Sequence, residues 1–361
     1  MKTLVYYITS HGHGHAARSC ELLCALHARA PDLRLRVVTR VDPAFLELRL
    51  AGIPVEISRR SHDTGLVQRD SVRSDPEATL EPALNLVRNR AALVREETDF
   101  LRNCGASVVV TDIPSIPLEA AAEVAIPGFG VGNFSWNWIY EAYAREDPRW
   151  VPVVRMYEEG YRRAEGAIRL PFHEPMNAFR SVWDTPLFAK PGRNRRAEMA
   201  ARAGCPLEAR WVLVGLSSLH WSPEALRRIS ALRDHVFWTV RPLEWVAPHF
   251  FAADPHEFPF CDVLASCDLL LTKPGFGVVS ESIVNAKPIV HARREAFAEA
   301  PLLEDGIRRF LKHAPLDLPD LYAGRIGKAL QAAMDAPHPP ETLEAGGEII
   351  AADRILQTIP F

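Results

Sequence analysis

Residues 3–18, TLVYYITSHGHGHAAR, run from a short apolar segment (Leu4–Ile8) into His11, His13 and His15, each separated from the next by one glycine. Such a run, broken by a Gly loop and then succeeded by apolar residues at three- and four-residue spacing, reads as buried strand, tight turn and helix. Gly12 and Gly14 let the backbone turn and approach a ligand, and the helix behind them offers unpaired N–H groups and a positive dipole end. A histidine at a helix start is disfavoured as a cation, and a neutral imidazole can take a proton from a hydroxyl. One of the three histidines is therefore a candidate base or ligand group. No metal site is expected: alternating histidines in a turning loop need not converge, and no thiol or carboxylate accompanies them.

The same alternation continues along the chain. LRLRVVTR and PVEISR read as strands, and a helix is expected from about Ala78 to Asn103. ASVVVTD is a buried strand ending in Asp112, and PGFGVGN one ending in Asn133. After a Pro/Arg-rich stretch the pattern restarts with WVLVGLSS, HVFWTV, CDLLLTK and AKPIVHAR as strands, and two helical segments close the chain near Leu321–Met334 and Glu341–Thr358. Buried runs alternating with helices predict parallel sheets covered on both faces. The expected organisation is an N-terminal unit over 1–170, a linker over 171–200, a second α/β unit over 201–335 and a C-terminal helix over 336–361.

At 361 residues two domains are natural. A net charge of −3, with basic residues scattered among carboxylates, argues against nucleic-acid binding. The first apolar run is too short to span a membrane and has no small-residue cleavage site behind it, which predicts a cytoplasmic protein. Peripheral membrane contact stays open. The six cysteines form no Cys-x-x-Cys pair and read as reduced core residues.

Ligands of open parallel sheets bind beyond the carboxyl ends of the strands. That rule singles out the His11–His15 loop, Asp112, Asn133, Ser217–Ser218 and Lys273–Gly277. Gly275 and Gly277, ahead of a helix carrying Ser280 and Glu281, suit a phosphate cradle, with Glu281 placed to accept from vicinal ribose hydroxyls. Ser217 and Ser218 are candidates for pyrophosphate contact. Asp63, Gln68 and Asp70, in a long polar loop, are candidates for hydrogen bonds to a sugar. The aromatic run from Phe134 to Tyr140 reads as helix core, with Trp136 and Tyr140 on one face.

Two stretches, GHGHAARSCELLCAL and TKPGFGVVSESIVNAKPIV, resemble the Gly-rich loop and the donor-binding segment of the GT-B glycosyltransferases, among them the lipid-I N-acetylglucosaminyltransferase and the UDP-glycosyltransferases. A wider likeness, through SHGHGHAAR, DTGLVQRDS, TDIPSIPLEAAAEVAIPGFGVGNFSW, KPGFGVVSESI and RREAFAEAPLL, is to the glycosyltransferase-like region of L-arabinokinases. The resemblance implies two Rossmann-like parallel-sheet domains facing across a cleft, with the last helix crossing back to the first domain. It places the base at His15, the phosphate-contacting residue at Lys273, the Gly at Gly275 and the ribose carboxylate at Glu281. Three positions depart from the pattern. Arg18 stands where a proline is frequent, Lys273 where many UDP-sugar transferases have histidine, and Glu295 or Glu299 is nearest to a missing Asp-Gln pair.

The expected activity is inverting, metal-independent transfer of a sugar, most simply from a UDP-sugar, to an acceptor hydroxyl, with no other cofactor. His15 is the expected base, with Asp112 orienting it or an acceptor hydroxyl. Gly14, Ser217, Ser218, Lys273, Gly275, Gly277, Ser280, Glu281, Glu295 and Glu299 are expected on the donor, and His13, Asp63, Gln68, Asp70 and Asn133 on the acceptor. The alternatives on the same fold are a nucleotide-sugar 2-epimerase and a non-catalytic nucleotide-sugar sensor.

Overall fold

The computed structural model describes residues 2–68, 73–216, 221–241, 247–293 and 297–359, with the side chain of His13 also outside the description. The chain divides into two compact units, residues 1–67, 75–188 and 345–361 in the first and residues 68–74 and 189–344 in the second.

The first unit is built on seven parallel strands: β1 (Thr3–Ile8), β2 (Arg34–Val38), β3 (Val55–Ser58), β4 (Ala106–Asp112), β5 (Gly128–Gly132), β6 (Gly166–Arg169) and β7 (Val182–Asp184). Their order is β3-β2-β1-β4-β5-β6-β7. β1 is buried along its whole length. Leu4, Tyr6 and Ile8 enter one core with Leu22, Leu23 and Leu26 of the His13–Arg29 helix. Val5 and Tyr7 enter another with Leu101, Ala120 and Ala121. A strand covered on both faces has no polar side to show, which is why it reads as a continuous apolar run. Strand order reverses at β1, where β2 lies on one side and β4 on the other. Ile8 pairs with Asp112 there, so the two strand ends stand side by side. This is the topological switch point, where open α/β sheets leave a crevice.

The second unit has six parallel strands: β8 (Arg210–Gly215), β9 (His235–Thr239), β10 (Phe250–Ala252), β11 (Leu269–Thr272), β12 (Ile289–Ala292) and β13 (His313–Leu316). They run in the order β10-β9-β8-β11-β12-β13, reversing between β8 and β11. Val212, Val214, Leu269, Leu271 and Val290 alternate into a core with Ile229 and Leu330. Among the described residues, no helix is long and apolar enough to cross a membrane.

Two boundaries differ from the sequence expectation. The stretch 171–188 belongs to the first unit, and within it the edge strand β7 pairs with β6 through Ala167 and Val182. A strand of three residues carries too little periodicity to be read from sequence. Residues 336–344 stay with the second unit, where the Glu341 carboxylate is paired with Arg309 at 2.6 Å. Only 345–361 return to the first. Ala351, Ala352 and Ile355 of the Gly347–Leu356 helix enter the core that β1 and the His13–Arg29 helix form. Ala345 bridges to Leu187, and the Gly347 N–H donates to the Leu187 carbonyl at 3.1 Å.

That return is tight enough to exclude a side chain at one position. A Cβ on Gly347 would lie 2.1 Å from the Pro186 carbonyl oxygen, whereas one on Gly14 would meet nothing within 4 Å. Gly347→Ala is expected to cost about 1–3 kcal/mol or more, the range for forcing atoms into a filled core. Denaturant unfolding of G347A checks this against G14A, which should lose far less stability.

Candidate active site

The His13–Arg29 helix begins one turn beyond β1, behind Gly12 at φ +82°, and no side chain caps its N-terminus. His15, on its first turn, is 7% exposed, and Asp112, the last residue of β4, is wholly buried. His15 Nδ1 lies 2.7 Å from Asp112 Oδ1. Arg18, one helical turn on from His15, reaches the same carboxylate with Nε (2.6 Å to Oδ2) and Nη2 (2.7 Å to Oδ1). Ser19 Oγ donates to Oδ2 at 3.2 Å. Burial alone would raise the Asp112 carboxyl, but the Arg18 guanidinium and His15 beside it hold it down to about 2.

These contacts select a tautomer. Arg18 Nη2 is also 2.7 Å from His15 Nδ1. A guanidinium cannot accept, and an ionised Asp112 cannot donate. The consistent assignment has Nδ1–H and Nη2–H converging on Asp112 Oδ1, with the close N···N approach as the by-product. Nε2 is then the unprotonated nitrogen of neutral His15, which is what a base at this position requires.

Asn133, expected to meet the acceptor, does other work. It is 2% exposed, its Oδ1 accepts from Arg18 Nη1 at 2.7 Å, and its Nδ2 donates to the Pro171 carbonyl at 2.5 Å. Asp112 is likewise too deep to reach an acceptor and orients His15. A buried network thus joins the carboxyl ends of β4 and β5 and the turn after β6 to the first turn of the helix.

The loop after β3 closes over the same strand ends. Asp63 is half-buried, and its Oδ2 accepts from Trp136 Nε1 at 3.0 Å. Burial raises its carboxyl above the ordinary value, against hydrogen bonds from Thr9 and Trp136 and the pull of His15. His11 Nδ1 accepts from the Leu66 N–H at 3.2 Å. Gly65 makes that approach possible: at φ +60° its added Cβ would sit 2.8 Å from His11 Nδ1. Trp136 and Tyr140 are fully buried and stacked, with ring centroids 5.6 Å apart, as the sequence predicts. Gln68 is exposed and groups with the second unit. Asp70 and the His13 side chain lie outside the described residues.

In the second unit, Lys273 follows β11 at the switch point, and Gly275 precedes the Phe276–Val284 helix, whose N-terminus also lacks a side-chain cap. Thr272 Oγ1 donates to the Gly215 carbonyl at 2.9 Å, joining the ends of β11 and β8. Gly277 and Glu281 are partly exposed, whereas Ser280 and Glu299 are buried. Ser217, Ser218 and Glu295 lie outside the described residues.

The same two-sheet architecture recurs in known proteins. The glycosyltransferase of kitacinnamycin superposes over 99% of this chain and 99% of its own, with a TM-score of 0.64 and 17% identity. A UDP-glucosyltransferase from Polygonum tinctorium capable of glucosylating indoxyl matches 99% of this chain and 93% of its own, with a TM-score of 0.63 and 14% identity. The fold is GT-B. In sequence, the chain is 30% identical over 350 residues to the L-arabinokinase of Arabidopsis thaliana. The match takes in 96% of this chain, which spans about a third (33%) of that relative's length. No protein-family model matches the chain.

On this GT-B fold, Arg18 is the site residue that sequence reasoning did not assign a role. The signal was present, since a cation three residues after a histidine shares its helical face. What the sequence did not show was that Asp112, 94 residues away, lies within reach of it. Removing one partner of a buried ion pair leaves the other uncompensated, so Arg18→Met is expected to cost about 3–5 kcal/mol in denaturant unfolding.

His291 on β12 gives the second unit a separate pH dependence. It is 5% exposed, and its Nδ1 has no hydrogen-bond partner among the described residues. Burial, then the neighbouring His313 and Arg293, push the imidazole down to about 4 from 6.5. The unfolded chain therefore binds a proton that the folded one refuses. Stability should be full above about pH 6.5 and fall as the pH drops toward 4, by up to about 1.4 kcal/mol per pH unit. Thermal unfolding across that window should show a shallower fall in His291→Gln.

Proposed function

We propose that this chain is a glycosyltransferase that moves a sugar from a nucleotide-diphosphate donor, most simply a UDP-sugar, to an acceptor hydroxyl. The observation that carries the reading is the His15–Asp112 contact of 2.7 Å at the switch point of the first sheet. It leaves an oriented imidazole with Nε2 as its proton-accepting atom. The GT-B fold and the 30% identity to an L-arabinokinase support a nucleotide-sugar protein in general terms.

In this mechanism the acceptor O–H bond breaks as its proton passes to His15 Nε2. The oxygen forms a bond to the anomeric carbon, and the bond from that carbon to the diphosphate breaks, the electron pair leaving with the diphosphate. Attack opposite the leaving group inverts the anomeric centre. The leaving charge is met in the second unit by the N–H groups at the start of the Phe276–Val284 helix and by Lys273, without a divalent metal. Glu281 accepts from the ribose hydroxyls. Gly14 adds backbone close to the ligand, with open space above it.

A nucleotide-sugar sensor remains the second reading because of one observation. Arg18 already compensates part of the Asp112 charge, which weakens the support that Asp112 gives a protonated His15.

The first test is a thermal-shift titration with UDP, GDP, CDP, dTDP and ADP on wild type and Glu281→Ala. A nucleotide at 100 times its Kd should stabilise by about 2.7 kcal/mol. UDP is expected to bind and E281A to lose it; no binding by any of the five would overturn the donor assignment. With the UDP-sugar that binds, His15→Ala should keep UDP affinity and lose about 10²–10⁴-fold in UDP release. Binding without turnover in wild type favours the sensor, and a new nucleotide sugar formed without acceptor favours the epimerase.

A further inference from the structure

Leu66, in the loop after β3, is 6% exposed, so its N–H group needs a partner inside the protein. Residues 63–67 form neither strand nor helix that could supply one. Each backbone group is met instead by a different element. Tyr140 Oη, on the Trp136–Ala144 helix, donates to the Gly65 carbonyl at 2.8 Å. Thr79 Oγ1, on the Pro76–Asn103 helix, accepts from the Val67 N–H at 2.9 Å. The Leu66 N–H donates to His11 Nδ1 at 3.2 Å.

That last bond decides where the proton of His11 sits. A backbone N–H can only donate, so the Nδ1 that faces it holds a lone pair and no proton. Neutral His11 then carries its proton on Nε2. His15 is the reverse, with Nδ1–H directed at the Asp112 carboxylate and Nε2 bare. The two rings, with centroids 6.3 Å apart, thus take opposite tautomers. Each is set by what the ring's Nδ1 meets, an acceptor for His15 and a donor for His11.

We propose that His11 is a positioning residue rather than the base, and that its bare Nδ1 holds the loop after β3 against the strand ends where His15 stands. The inference rests on the reading of that switch point as the reaction site. In neutral His11, Nε2 is already protonated, and Nδ1 can take a proton only by giving up Leu66. The imidazole packs directly on the Gly65 backbone, where a Cβ would lie 2.8 Å from Nδ1 and 2.9 Å from the His11 Cβ and Cγ. Its other side meets the Trp136 ring, nearly perpendicular at 78° with centroids 5.6 Å apart. Trp136 Nε1 in turn donates to Asp63 Oδ2 at 3.0 Å, which returns to the same loop. His11, Trp136 and residues 63–66 therefore close a ring of contacts, and Leu66 to Nδ1 is the link that the histidine loop supplies.

Long-range proton–nitrogen-15 correlation spectra at neutral pH read both tautomers, with the His11 and His15 resonances assigned by their loss in His11→Leu and His15→Gln. His11 should carry its proton on Nε2 and His15 on Nδ1. Amide hydrogen exchange reads the bond itself. In H11L the Leu66 N–H should exchange about tenfold faster or more, measured against the Val109 N–H, which donates to the Pro127 carbonyl at 2.9 Å within the sheet. His11→Asn sets an acceptor oxygen as many bonds from the backbone as Nδ1, and should return the Leu66 rate toward wild type. A proton on His11 Nδ1 in wild type overturns the proposal, whether or not H11L folds. So does a Leu66 rate unchanged in H11L, or one as fast in H11N as in H11L. No nucleotide or acceptor is needed, so the result stands apart from whether UDP binds or turns over.

Discussion

A carboxylate with no access to water must be matched by charge and hydrogen bonds from the protein, and Asp112 has both. It sits at the end of a central strand, and Arg18, Ser19 and His15 satisfy its two oxygens from the first two turns of one helix. Because Asp112 belongs to β4 and its partners come after β1, the match holds only when those two strands are adjacent and in register. Ile8 opposite Asp112 is that register. A shift of one residue would turn the carboxylate to the other face of the sheet and leave Arg18 buried without a partner. The fold of the first unit and the geometry of its site therefore share one constraint.

Electrostatics then give the two acids different parts. Compensation by Arg18 makes Asp112 a fixed orienting group whose charge state is constant through the neutral range. Asp63, half-buried in the loop after β3, is held instead by a neutral donor, Trp136 Nε1 at 3.0 Å.

The second unit repeats the topology with different chemistry. Its switch point lies between β8 and β11, where Thr272 and Gly215 join through one hydrogen bond. Beyond β11 the chain carries a lysine and a glycine before an uncapped helix, rather than a histidine and a buried acid. One fold, twice used, sets a His–Asp pair at the switch point of the first unit and a lysine ahead of an uncapped helix at that of the second. Function here lies in the side chains grafted on the strand ends, not in the sheet.

By itself the sequence determined the alternation of buried strands and helices, hence two parallel-sheet units, and it marked the strand-end loops as the places where chemistry would be. Those features are local: apolar runs covered on both faces, glycines at turns and helix periodicity are written within a dozen residues. His15 and Asp112 were legible as candidates for that reason. The tertiary structure alone decided that Asn133 bonds to Arg18 and the Pro171 carbonyl, and that the short strand β7 completes a sheet. The return of the last helix to the first unit was implied by the resemblance, and the structure decided which of its residues, Ala351, Ala352 and Ile355, enter that core. Each of these depends on contacts between residues far apart in the chain, and on strand pairings as short as three residues. Such a pairing is stabilised by its neighbours in space, so its own sequence carries no signal of it.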